Sequence, residues 1–226
     1  MDVKITQFNV QLYFKEPVLD SELLKEAFTA TDGFAANPVA ADYGAHPMQG
    51  TQSFYRQGFR IAPVQSNGLP FRILQVLSYP NALASPDGDT IECLHFVAAQ
   101  LKQQLTVDLE RDVYAVRVVS HALVNGSPDV LRVLSRLATI EKVPALAGRY
   151  VAHKNAMDAI QLVTRTGDEL SQESWSDIRV SQFNTSSYVV TIFNETGSLA
   201  LARQSIAGFG EFVEVMMKEM EQASQA

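Results

Sequence analysis

The chain has 226 residues, 46% of them hydrophobic, with 18 basic against 25 acidic side chains and a formal net charge of −7. That is enough apolar material for one large domain or two small ones. The acidic balance, with a sequence pI of about 5.1, runs against a dedicated phosphate-binding surface, which gains affinity by clustering Lys and Arg and releasing counterions. A lone cysteine, Cys93, excludes an intrachain disulfide and a multi-cysteine zinc site. No apolar run is long enough to span a bilayer, and a cytoplasmic protein without membrane association is expected.

Phe8, Val10, Leu12 and Phe14 alternate with Asn9, Gln11 and Tyr13, which predicts a half-buried strand over 8–14. Glu16 and Pro17 end it. A short helix should follow, capped by Asp20 or Ser21, with Leu23, Leu24, Ala27 and Phe28 as its buried stripe. Residues 31–52 carry three glycines and two prolines and no period of either kind, so they are expected to form a long loop of the sort that, when ordered, often carries function. Two strands, 54–64 and 69–79, are then predicted on either side of Asn67-Gly68, the dipeptide that best suits the positive φ angles of a tight hairpin.

From Asp89 to Leu105 the apolar residues Ile91, Leu94, Ala98, Leu101 and Leu105 recur every three or four positions, which predicts an amphipathic helix capped by Asp89 or Thr90. Asp108 to Asp112 ends it, and the β-branched run 113–119 reads as a central strand with the helix as its cover. Ser127, Pro128 and Asp129 signal another helix, with Leu131, Leu134, Leu137 and Ala138 inward. Strands are expected at 149–153, 159–164, 178–183 and 188–193. A long helix over 199–222 closes the chain, with Ile206, Phe209, Val213, Met216 and Met220 as its stripe and Gly208 and Gly210 weakening its middle.

This order predicts an α+β protein built on an antiparallel sheet. Up to Val119 the pattern βαββαβ resembles a ferredoxin-like half, in which two helices cover one sheet face. A strand-rich C-terminal half ending in the long helix would complete it. The expected division is 1–124 and 125–226, either as two packed halves or as one domain. Strand alternation should direct Tyr55, Phe59, Ile61, Phe71, Ile73, Leu77, Tyr114, Val116 and Val118 toward the helices. The opposite face would then carry Asn9, Gln11, Tyr13, Arg56, Arg60, Arg72, Arg117 and His121. Guanidinium groups so placed can hold a phosphate or carboxylate through paired donors. The competing expectation is that internal carboxylates such as Asp158, Asp168 or Glu169 neutralise them, because buried charges are usually paired within the fold.

No compact catalytic signature is present. Cys93 and His95 lie two apart on a predicted helix, so their side chains diverge by about 200°, and Cys93 is expected to be a buried, inert thiol. The four histidines, His46, His95, His121 and His153, are scattered, and no metal site, phosphate-binding loop or nucleophile elbow is expected. The sequence therefore favours a non-catalytic binding or assembly protein that needs no cofactor and acts through a protein partner or self-association. One alternative is a ferredoxin-like nucleic-acid module using Tyr13, Arg56, Arg60, Arg72 and Arg117, disfavoured by the acidic pI. Another is a small-anion binder or enzyme in which Tyr43 and His46 of the 31–52 loop lie above the arginine face near His121.

Overall fold

The computed structural model describes residues 2–16, 21–29, 35–36, 53–56, 58–64, 72–79, 83–126, 159–166 and 174–223. The central strand β1 (Asp2–Phe14) forms because its alternation lets one row of side chains leave water completely: Phe8, Val10, Leu12 and Phe14 are fully buried. It pairs antiparallel with β5 (Ile73–Ser78) on one edge and with the 13-residue β6 (Val113–Asn125) on the other. Beyond β5 lie β4 (Phe59–Val64), β3 (Phe54–Arg56) and the two-residue β2 (Ala35–Ala36). Beyond β6 lie β9 (Ser187–Thr196), β8 (Ser174–Asn184) and β7 (Ala159–Thr166). The result is one antiparallel sheet in the order β2-β3-β4-β5-β1-β6-β9-β8-β7. It runs without interruption across residue 125.

The helices form a layer on the Phe8 side. In α1 (Ser21–Thr29), Leu24, Ala27 and Phe28 are buried, and the Phe28 ring lies 5.2 Å from that of Phe54. Leu23, expected in the same stripe, is instead 47% exposed, because Leu24 and Phe28, four apart, already fix the inward face. Helix α2 (Pro86–Leu105) buries Thr90, Cys93, Leu94, Val97 and Leu101. It starts one turn earlier than its apolar period suggested, with Pro86 at its first position, where the missing amide is harmless. The Asp89 carboxylate accepts from the Ser85 amide at 3.1 Å. After the one-turn α3 (Leu109–Asp112), the chain enters β6, which is central as expected. It is covered by the C-terminal helices, whereas α2 lies over β1 and β5. The expected final helix is two: α4 (Leu199–Ala207) and α5 (Phe209–Ala223), separated at Gly208. Ile206, Phe209, Val213 and Met217 are buried, with Met216 and Met220 packed beside them, so these methionines are ordinary core.

Three irregularities decide which side chain faces which way. The predicted 54–64 strand is broken at Gly58, whose φ of 87° needs glycine, and Arg56 pairs with Phe59. In β6, Tyr114 is the extra residue of a bulge, because Tyr13 pairs with Ala115 while Phe14 pairs with Val113. In β1, Thr6 is extra between Ile5 and Gln7, and its hydroxyl donates to the His121 carbonyl at 3.1 Å. Phe59, Ile61, Val116 and Val118 face the helices as expected. Ile73, Leu77 and Tyr55 do not: Ile73 pairs with Tyr13, Leu77 with Asn9 and Tyr55 with Arg60, which places them on the opposite face, and Leu74 and Val76 point inward in their stead. Tyr114 is 55% exposed. The 127–140 helix, the 149–153 strand, Phe71 and the Asn67-Gly68 turn lie outside the described residues, although β4 and β5 do pair, from Phe59 with Ser78 to Val64 with Ile73.

Helix α2 ends at Thr106, whose backbone is left-handed (φ 55°, ψ 18°) so that the Val107 amide can reach the Leu101 carbonyl at 3.1 Å. Among the described residues it is the one non-glycine in that region, and a β-branched side chain there costs about 1–2 kcal/mol. Thr106→Gly is therefore expected to raise stability by about 1 kcal/mol, or roughly 2–4 °C in Tm for a chain of this size. An unchanged or lower midpoint in thermal or urea unfolding contradicts this account of the cap.

Candidate functional site

The face of the sheet away from the described helices collects polar groups in register. Between the two bulges, Gln7, Asn9, Gln11 and Tyr13 of β1 align with His121, Val119, Arg117 and Ala115 of β6. On the next strand Thr191, Phe193 and Glu195 stand beside His121, Val119 and Arg117. On the other side Ile73, Gln75 and Leu77 stand beside Tyr13, Gln11 and Asn9. Period-two alternation brings these groups together from strands distant in sequence.

Arg117 is the centre of this face. Its Nε and one terminal nitrogen both donate to Glu195 Oε2, at 3.0 and 2.7 Å, and its guanidinium carbon lies 5.4 Å from the centroid of the Tyr13 ring. Tyr13 donates its hydroxyl to Gln11 Oε1 at 2.8 Å. Burial raises its phenol pKa, with Arg117 pulling the other way, so it is a neutral donor at physiological pH. The Tyr114 ring stands edge-on to Tyr13, with centroids 6.1 Å apart. Farther along β6, His121 Nδ1 and Thr191 Oγ1 share a hydrogen bond of 3.1 Å, and burial lowers the imidazole pKa. Across β1, Gln75 Nε2 donates to Asn9 Oδ1 at 3.0 Å.

The expected arginine cluster is only partly assembled. Arg117 and His121 share the polar face, and Arg60 joins it at the β4 position opposite Leu77, where its Nε donates to Ser53 Oγ at 3.1 Å. Arg56 is on the helix side: its guanidinium lies 4.1 Å over the Phe96 ring of α2. The Gly58 turn is the reason, because it ends the even spacing that would have set Arg56 and Arg60 on one side. Arg72 is exposed, one residue before β5. Tyr43 and His46 lie outside the described residues, as do Asp158, Asp168 and Glu169. The carboxylate that meets Arg117 is Glu195, which lies beyond the expected 188–193 strand but continues β9 in the structure. Tyr114, expected to face the helices, is exposed instead, because a bulge turns it out of the alternating row. Cys93 is buried, its thiol pushed up to about 12 mainly by burial, so it carries no nucleophile at neutral pH. Among the described residues no group of three or more His, Cys, Asp or Glu is placed to hold a metal, and no helix is long and apolar enough to cross a membrane.

No protein-family model matches the chain, and no curated protein matches it. Among solved structures, it aligns with the crystal structure of the di-domain ARO/CYC StfQ from the steffimycin biosynthetic pathway, at 8% identity over 97% of this chain and 95% of that one. The TM-score of 0.22 is too low for that likeness to bear on fold or function.

Two measurements test the polar face. Arg117 and Glu195 are part-exposed, at 38% and 28% of their side chains, so a double-mutant cycle with Arg117→Met and Glu195→Gln is expected to give a coupling of about 0.5–1 kcal/mol, reduced by salt. A coupling near zero removes the pair as an organising contact. His121 has a folded pKa below its ordinary 6.5, so the unfolded chain takes up a proton first as pH falls. Its stabilising effect is complete above about 6.5 and is lost as pH drops through the folded value. The urea midpoint of His121→Gln should vary less with pH below 6.5 than that of the parent protein. Identical profiles exclude the histidine as the source.

Proposed function

We propose that this protein is a non-catalytic binding or assembly protein, and that it makes its contacts through the Tyr114–Tyr13–Arg117–Glu195 surface. The observation that carries this reading is Tyr114. A bulge where β1 ends and β6 begins holds a large aromatic side chain 55% in solvent, braced against Tyr13, whose ring in turn lies beside Arg117. Tyrosine and arginine are the residue types that most often dominate binding energy at protein interfaces, and rings fixed in advance lose little entropy on binding. The adjoining charges are already compensated, so covering them does not strand an unpaired ion.

The occupant we propose is a second copy of this chain. The patch carries both a guanidinium and a carboxylate, and such a surface is self-complementary across a two-fold axis, where each copy's Arg117 can approach its mate's Glu195. The strand order β4-β5-β1-β6, with α1 and α2 on one side, supports reading the N-terminal half as ferredoxin-like. Nucleic-acid and small-anion readings draw less support, because Arg56 lies on the helix side and Arg117 is met by Glu195.

Light scattering across a concentration series is expected to show the mass rising from the 24.9 kDa of one chain toward twice that value. Tyr114→Ala should weaken the association at least tenfold while leaving the melting temperature nearly unchanged, because the side chain is exposed. A single-chain mass up to about 1 mM, where even a contact of about 4 kcal/mol would register, overturns the self-association proposal.

A further inference from the structure

The joint between α4 and α5 leaves a second, unrelated feature on the helix side of the sheet. Gly208 alone separates the two helices. At this break a cleft of about 280 Å³ opens between the joint and the two strands below it. Ile178 of β8 and Ile192 of β9 contribute from the sheet, and Phe209 and Phe212 from the first turn of α5. Asn194, Gln204 and Ser205 contribute polar atoms, and among the described residues no charged side chain lines the cleft.

We propose that this cleft is a binding site for a small, neutral, ring-containing molecule that carries one hydrogen-bonding group. The size follows from volume: an apolar cavity of about 150 Å³ accommodates benzene, and small-molecule sites begin near 300 Å³. A ligand of one or two rings therefore fits. Neutrality follows from the lining, because an ionised group would lose hydration with no counter-charge to replace it. The hydrogen-bonding group follows from Ser205 and Asn194. Asn194 Nδ2 donates to Ser205 Oγ, which orients the hydroxyl and leaves its own proton to donate. Phe212 is 46% exposed at the cleft, where a ring-bearing ligand covers apolar surface that the fold leaves in water. The site stands apart from the Tyr114 surface and does not depend on its role.

The test uses 2-naphthol, neutral at pH 7, with 2-naphthoate as its charged counterpart, by calorimetry or ligand-observed NMR on the full chain. 2-Naphthol is expected to bind with a dissociation constant on the order of 0.1 mM, and 2-naphthoate at least tenfold more weakly. Ser205→Leu, which fills the cleft and removes the hydroxyl, should weaken 2-naphthol at least tenfold. Phe212→Ala should weaken it about fivefold, and because that side chain is half exposed it supplies the decisive comparison if Ser205→Leu fails to fold. Absence of 2-naphthol binding at millimolar concentration, equal binding of the two probes, or unchanged affinity in Phe212→Ala overturns the proposal.

Discussion

Everything in this fold depends on β1 being paired along both edges while one row of its side chains is completely removed from water. Phe8, Val10, Leu12 and Phe14 stand at the bottom of the helix layer, where Phe8 meets Phe209 of α5 at 5.6 Å. Burying four such side chains is worth on the order of 6–12 kcal/mol against exposure, before the entropy of ordering them is subtracted. A slip of one residue in pairing would exchange that row for Asn9, Gln11 and Tyr13. The register is thus fixed by the core. The polar face is a consequence of the same parity, set once β6 and β5 have aligned on either side of β1.

The polar face shows how a sheet handles charge without a binding partner in view. Arg117 stands midway along a strand whose other residues are largely apolar, and on an isolated strand it would be an unexplained interruption. In the sheet, Glu195 occupies the neighbouring strand at the same level, and two guanidinium nitrogens converge on one carboxylate oxygen. Such charge-assisted bonds are directional, and they also hold the guanidinium near the Tyr13 ring. Tyr114 leans against that ring from outside. Its exposure is a packing result: the extra residue of a bulge has no place in the alternating row and must leave the sheet plane.

Glycine breaks the regular pattern at two positions, each with a consequence beyond its own turn. Gly58 divides what looks like one long strand into β3 and β4, and in doing so turns Arg56 toward Phe96 and away from Arg60. Gly208 divides what looks like one long helix, and the cleft beside Phe212 lies at that division.

The sequence by itself determined the alternation of β1, the amphipathic helices, the inert character of Cys93 and the antiparallel α+β class, because each depends on periodicity or composition along a continuous stretch. The two apolar runs on either side of Asn67-Gly68 do pair as β4 and β5, while the turn itself lies outside the described residues. Only the tertiary structure decided that Glu195 meets Arg117 across 78 residues, that Arg56 leaves the arginine row, and that Ile73 and Leu77 give up the inward positions to Leu74 and Val76. The physical reasons differ: the Gly58 turn sets Arg56 against Arg60, whereas Ile73 and Leu77 are placed by unbroken pairing with β1 and β4, and Glu195 by the register of β9 on β6. A strand has a period of two, so a single inserted turn or bulge residue reverses every later side chain. Neither insertion leaves a mark that periodicity alone can read, since the choice between an alternating row and its mirror is made by the partner strands and the helices above them.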